Sequence, residues 1–168
     1  MKISRTVGIA LLIAINIAID QISKMIVRAE IAYNEIIPII GEKFILTKVE
    51  NKGAFLGMGS ELGETTRLIF LLILPVLVLG FVVYYILKNK TLDRLSLIAF
   101  CCIIGGGIAN IYDRIVYGQV TDFLHIDLGG VLKTGIFNVA DMSVSFGMIL
   151  LLIASFKQRK VSVQKQEA

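Results

Sequence analysis

The apolar positions of this chain fall into four long runs. Residues 68–87, LIFLLILPVLVLGFVVYYIL, pass through 20 positions without a charge. At 1.5 Å per helical residue that run reaches about 30 Å, the thickness of a bilayer's hydrocarbon core. Residues 95–112, LSLIAFCCIIGGGIANIY, are a second uncharged run. Residues 6–23 are broken only by Asp20, and residues 134–156 only by Asp141. The pattern predicts an all-α integral membrane protein. Its four transmembrane helices are expected at about 6–27, 67–87, 94–112 and 137–156, in a single polytopic domain covering 1–168.

The stretch 28–66 is the only sizeable part outside the spans. FILTKVEN at 44–51 is β-rich and partly alternating, and KGAFLGMGSELG after it is rich in glycine. They predict a small β-containing segment on the outer face, a strand or hairpin followed by a turn-rich approach to the second span. Pro75 predicts a kink in that span. Gly105, Gly106 and Gly107 predict close helix approach in the third. The segment 113–136 is short; Phe123, Leu124, Ile126, Leu128, Val131 and Leu132 suit an element half-dipped in the interface. The tail 157–168 is polar.

Composition strengthens the membrane reading. Hydrophobic residues make up 56 % and the mean hydropathy is +0.81, against about 45–50 % apolar residues in a soluble domain. Lys2 and Arg5 before the first run look like the head of a signal peptide. The chain then continues as NIAIDQISK without a small-residue cleavage site, which predicts an uncleaved first span. The net charge of +4 and pI of 9.1 raise the question of a nucleic-acid partner, and the placement of the cations answers it. Lys2 and Arg5 precede span one, Lys88, Lys90 and Arg94 link spans two and three, and Lys157, Arg159, Lys160 and Lys165 follow span four. The positive-inside rule puts all three segments, and so both termini, on the cytoplasmic side. Residues 28–67 are balanced, with five Lys/Arg against six Glu. The basic excess therefore records orientation, and no nucleic-acid partner is expected. Cys101 and Cys102 are adjacent inside span three, where they neither close a useful loop nor have metal-ligand spacing; packing between helices explains them.

An ionisable side chain costs about 2.5–3.5 kcal/mol at the centre of a membrane helix, so such residues carry the candidate chemistry. They form four clusters near the predicted outer ends of the spans. In DQISK (20–24), Asp20 and Lys24 stand i, i+4 and put an ion pair on one face. In NKGAFLG (51–57), Asn51 offers a donor and an acceptor, while Gly53 and Gly57 allow turns or close backbone approach; a surface turn accounts for the same residues. In GGGIANIYDR (105–114), Asn110, Asp113 and Arg114 share a helix face, and Arg114 can fork onto a carboxylate. An interfacial Asp–Arg pair closing the span is the plainer account of these. The fourth cluster is split between VTDF (120–123) and FNVAD (137–141). Asn138, Asp141 and Ser145 share a face of span four, and Asp122 lies on the connection leading to it. Taken singly, each aspartate suits an N-cap or a loop. Within reach of each other they cannot both ionise cheaply; one proton is held by the pair, and one member serves as base while the other serves as acid. That is what activating water against an amide requires. The 19-residue spacing permits the contact without proving it.

Five motifs in order, DQISK, NKGAFLG, GGGIANIYDR, GQVTDF (118–123) and FNVAD, resemble those of the bacterial lipoprotein signal peptidases, or signal peptidase II, and the resemblance covers nearly the whole chain. It implies a membrane-embedded aspartic endopeptidase of the bacterial cytoplasmic (inner) membrane, working near the outer face. Its substrates would be diacylglyceryl-modified prolipoproteins, cut just before the lipidated cysteine. The resemblance further implies no metal or other cofactor and inhibition by the cyclic peptide globomycin. It makes Asp122 and Asp141 the catalytic dyad. Asn51, Asn110, Arg114 and Asn138 fall where the family lines its substrate or inhibitor site, and Asp20, Lys24, Gly53 and Asp113 fall at supporting positions. Ala109 stands where the family usually has Gly. Nothing requires more than a monomer. A substrate with an apolar signal helix and two acyl chains cannot leave the membrane cheaply, at about 0.8 kcal/mol per buried methylene, so its enzyme must meet it among the membrane lipids.

Two rivals use some of the same residues. Asp122, His125 and Asp127 form D-x-x-H-x-D around the only histidine, a set that could hold a divalent ion in a metallopeptidase. Intramembrane Asp, Asn and Arg also mark small transporters and channels, although here they gather at one depth instead of threading the bilayer. A tetraspan scaffold has no need of two Asp beside three Asn. Loss of activity in chelator would favour the first rival, and mutation of the aspartates separates a peptidase from the others.

Overall fold

The computed structural model describes residues 4–54, 59, 61 and 63–166, with side chains described to residue 159; Gly57 of the second motif lies outside them. The elements run α1 (Arg5–Glu30), β1 (Ile37–Ile40), β2 (Phe44–Asn51), α2 (Glu64–Lys88), α3 (Arg94–Tyr117), β3 (Val120–Ile126) and α4 (Val139–Gln166). All four helices are long and apolar enough to cross a membrane. The architecture is the expected one, four membrane helices with a small sheet at one end.

Local chemistry sets the helix ends. Ser4 caps α1 by accepting from the Val7 N–H, and Asp93 caps α3 by accepting from the Ser96 N–H. Gly118, at φ 73°, takes the left-handed conformation that closes α3. Pro75 has no N–H to offer the carbonyl four residues back. The helix absorbs this just before the proline with a π turn over Ile69–Ile73, where the Leu74 N–H reaches the Ile69 carbonyl, and then continues to Lys88.

The bundle is apolar outside and has an apolar core of Ile9, Leu79, Ile86, Cys101, Ile104 and Ile111, but its interior turns polar towards the sheet. Along α1, Val7, Leu11, Ile15, Ile19, Ile22 and Ile26 are exposed, whereas Asp20 and Lys24 are fully buried. At the centre, α3 packs against each of the other three helices. Its three consecutive glycines make this possible because successive residues point about 100° apart. A Cβ on Gly105 would meet Asn16 of α1, one on Gly106 the Ala140 carbonyl of α4, and one on Gly107 Leu79 of α2. Cys101 and Cys102 are free thiols, and Cys101 is buried.

The sheet is antiparallel in the order β1-β2-β3. Its third strand comes from the segment between α3 and α4, which hydropathy alone assigned to the membrane interface. Val120 to Phe123 are buried in the sheet, while Leu128, Val131 and Leu132 on the reversal beyond it are exposed. Leu46 pairs with Leu124 but Val49 with Asp122, so β2 carries one extra residue between them. This bulge is why FILTKVEN alternates only in part: Phe44 and Leu46 keep the same face as Val49 and Asn51. After β3 the chain reverses through Gly129 and Gly130, at φ 91° and 62°. It returns to β3, where Leu124 and Phe137 exchange N–H···O bonds of 2.8 and 2.9 Å. The entry to α4 is thus stitched beside Asp122. At the opposite end of the bundle, Arg5 donates to the Asn89 carbonyl (2.9 Å) and Gln158 to Asp93 (2.7 Å). These bonds gather the basic segments away from the sheet.

Candidate active site

A polar centre forms where α1, α3 and α4 meet the sheet. Lys24 has three protons to donate and uses all three, to Asp20 at 2.8 Å, Asp113 at 3.0 Å and Asn110 Oδ1 at 2.8 Å. Asp113 also takes Arg28 at 2.9 Å, Gln21 at 3.0 Å and the Thr121 N–H at 3.2 Å. Asp20 accepts from the Ala140 N–H at 2.8 Å, which pins α1 to the first turn of α4. Removing any of these charges would strand its buried partners.

The ion cluster sets the asparagines, and the asparagines set the two candidate carboxylates. Because Lys24 can only donate, Asn110 must turn Oδ1 towards it, and Nδ2 then reaches Asp141 at 2.9 Å. Asn138 is the N-cap of α4. Its Oδ1 accepts from the Asp141 N–H (3.0 Å), and Asp141 accepts from the Asn138 N–H (3.2 Å) in a reciprocal capping box. The remaining Asn138 amide donates to Asp122 Oδ1 at 2.6 Å and to Asn110 Oδ1 at 3.2 Å. Asn51 donates to Asp122 Oδ2 at 2.8 Å and is braced by the Gly53 N–H. Every oxygen of Asp122 and Asp141 therefore accepts one N–H bond, and among the described residues no hydrogen bond joins the two carboxylates directly. Each oxygen keeps a lone pair for water or a proton. Burial pushes the Asp122 carboxyl up to about 6, helped by the charge of Asp141 and opposed by the bonds from Asn51 and Asn138 and the charge of Lys24.

Arg114 departs from the sequence expectation. It makes no fork with a carboxylate but donates to the Gly53 carbonyl (2.8 Å) and the Asn110 carbonyl (3.3 Å). Successive residues on a helix do not face each other, so Asp113 turns to α1 while Arg114 turns to the loop after β2. Its Nε is buried without a hydrogen-bond partner among the described residues. The metal set of the rival reading is not assembled. Strand alternation puts Asp122 and His125 on opposite faces of β3. Asp127 instead accepts from the Gly129 N–H.

The structure brings Asp20, Lys24, Asn51, Gly53, Asn110, Asp113, Arg114, Asp122, Asn138 and Asp141 into one connected network. Sequence reasoning missed Gln21, Arg28 and Thr121. Arg28 was within reach of it, since 20, 24 and 28 continue one i, i+4 stripe. Its guanidinium lies 4.0 Å from the centre of the Tyr117 ring and donates to Thr121 at 2.9 Å. Thr121 carries no signal of its own.

Fold and site together define a polytopic membrane protein with two amide-held carboxylates at the end of the bundle remote from its basic segments. The chain belongs to the signal peptidase II family, whose sequence profile, signal peptidase (SPase) II, matches residues 12–157. It is 35 % identical over 159 residues to the lipoprotein signal peptidase of Treponema denticola, covering 90 % of this chain and 92 % of that one. To the Brevibacillus brevis lipoprotein signal peptidase it is 37 % identical over 150 residues, 89 % and 95 % of the two chains. A solved bacterial membrane enzyme superposes with a TM-score of 0.79 at 27 % identity, covering 90 % of this chain and 89 % of the other. A second gives 0.78 at 25 % identity, covering 89 % and 93 %. Family membership makes the chain a multi-pass membrane peptidase.

Proposed function

We propose that this chain is an aspartic endopeptidase that removes signal peptides from diacylglyceryl-modified prolipoproteins, cutting before the lipidated cysteine, with Asp122 and Asp141 as its dyad. The observation that carries the reading is the double role of Asn138, which caps α4 through Asp141 and holds Asp122 with the same side chain. In this reading both termini are cytoplasmic and the dyad lies at the outer interface, where water enters. The ionised member of the pair takes a proton from water. The water oxygen attacks the scissile carbonyl, whose oxygen receives the proton of the other member. Collapse of the tetrahedral intermediate passes the proton taken from water to the departing cysteine nitrogen, while a hydroxyl of the intermediate gives its proton to the other member, so the pair again holds one proton. Acid–base assistance of this kind contributes about 10²–10⁴-fold. Charge is consistent with a dyad that holds one proton. Asp20, Asp113, Asp122 and Asp141, with Glu50 joined through Thr121, outnumber Lys24, Arg28 and Arg114, and a proton on the pair reduces the negative excess. Arg114 Nε supplies a donor for the substrate backbone or the oxyanion, while Asn51 spends its amide on Asp122 and the Ala54 carbonyl.

The test is purified protein with a diacylated prolipoprotein in detergent, products read by mass spectrometry. The parent should cut before the lipidated cysteine. Asp122→Asn and Asp141→Asn should each abolish cleavage while still expressing and inserting. Cleavage at the parental rate by either variant sinks the dyad.

A further inference from the structure

A cavity of about 210 Å³ lies between the loop after β2, the start of α2 and the end of α3. Lys52, Arg67 and Arg114 bring three cations to its lining, against the single carboxylate of Glu64. Arg114 is already set against Asp122 and Asp141, and it donates to the Gly53 and Asn110 carbonyls. Lys52 and Arg67 are not spent in this way. Among the described residues neither side chain has a hydrogen bond or an ion pair, whether with Glu64 or with another acid. The loop 52–63 adds only Glu61, which is exposed and equally unpaired among the described residues. Like charges gathered at one cavity repel, so an anion completes the arrangement.

Depth narrows the choice of anion. The 25 residues of α2 make about 37 Å of helix, about 7 Å more than the hydrocarbon core. With Lys88 at one end, Arg67 in the opposite first turn falls at the level of lipid headgroups. One turn further in, the wall of the cavity is Leu71 and Leu72, and Leu68 beside them is 49 % exposed on a helix that faces lipid. Charge followed by apolar wall is the order of a phospholipid, phosphate first and acyl chain after. We propose that this cavity binds the phosphate of a phospholipid from the leaflet beside the sheet, with Lys52 and Arg67 donating to it and an acyl chain lying along α2. Lys52 stands between Asn51, which holds Asp122, and Gly53, which Arg114 holds. A bound phosphate therefore ties the loop beside the carboxylates to α2.

The chain has no tryptophan, so Leu68→Trp supplies a single local reporter for lipids with brominated acyl chains. The experiment titrates this protein in neutral detergent with brominated phosphatidylglycerol and with diacylglycerol carrying the same chains. Only the phosphatidylglycerol should quench saturably. A cation close to an anionic lipid contributes about fivefold in affinity. Lys52→Gln and Arg67→Gln should each weaken the quenching titration by about that factor, and together by about 25-fold. Glu64→Gln removes the one repelling carboxylate and should tighten it by about fivefold, a gain that an unfolded variant cannot imitate. Lys88→Gln with Lys90→Gln, at the other end of the bundle, should keep the parental titration. Equal quenching by both lipids, a parental titration in the Lys52→Gln, Arg67→Gln double variant, or no tightening in Glu64→Gln overturns the inference. Displacement of the lipid by an equal concentration of inorganic phosphate would make this a free-phosphate site and also overturns it. Binding is read without peptide substrate, so the result is independent of the peptidase reading.

Discussion

Asp122→Asn should change how stability depends on pH as well as remove activity. Asp122 is 3 % exposed, and its carboxyl is pushed from 3.8 to about 6, first by burial and then by the charge of Asp141. Between those values the folded chain binds more protons than the unfolded one. The contribution of this group is therefore fully present below pH 3.8 and is lost as pH rises through about 6. Two pKa units at 1.36 kcal/mol each make the loss about 3 kcal/mol. Asparagine cannot ionise, so the variant escapes that loss. It also turns one amide donor against Asn51 or Asn138, at about 1–3 kcal/mol, but that offset is the same at every pH. The difference between variant and parent should thus move in the variant's favour by about 3 kcal/mol from pH 4 to pH 8, or about 6–12 °C in Tm at about 2–4 °C per kcal/mol for a chain of this size. Loss of helical circular dichroism on heating in detergent supplies the assay, because it reads alike at both pH values, whereas a thiol-reactive dye finds almost no thiolate at pH 4. A Tm difference that is equal at pH 4 and pH 8, or that grows towards low pH, refutes the reasoning.

Lys24→Met should destabilise the protein by about 3–5 kcal/mol, because Asp20 and Asp113 lose a buried cation; adding Asp20→Asn should recover most of it in the same melting assay, and a harmless single variant would count against the network. Gly106→Ala drives a methyl into the Ala140 carbonyl, with Val144 beside it and Asp141 next in the chain. A displacement of about 1 Å there should lower kcat by about 100-fold, whereas Gly107→Ala meets only the end of the Leu79 side chain and should cost less than about tenfold; equal effects would remove the argument. Chelator should leave the cleavage rate unchanged, and a loss reversed by added divalent ion would return His125 and Asp127 to consideration.

The spans were legible because a charge-free run of 20 residues has few uses other than crossing lipid. The candidate site was legible for the converse reason, since charges in such helices are costly enough to mark themselves. The strand β3 was not. VTDFLHI has apolar residues that suit an interface as well as a sheet, and only its register with β2 decides between them. The meeting of Asp122 with α4 was equally hidden, because it depends on backbone bonds between Leu124 and Phe137 that side-chain patterns do not announce. Arg114 was misjudged through counting spacing without direction: i+3 and i+4 share a broad face with Asn110, but Asp113 and Arg114 diverge enough to serve different neighbours.

Asp20 and Lys24 sit one turn apart on α1, which is synthesised before α3. In the proposed orientation both must cross the bilayer before α3, which brings Asp113, exists. Each alone would oppose insertion by about 2.5–3.5 kcal/mol at mid-helix. Together they travel as a neutral pair, so the nascent first span carries its own counter-ion. When α3 arrives, Lys24 has one donor for Asp113 and one for Asn110. The same pair that eases biogenesis thereby becomes the template on which the later helices are aligned.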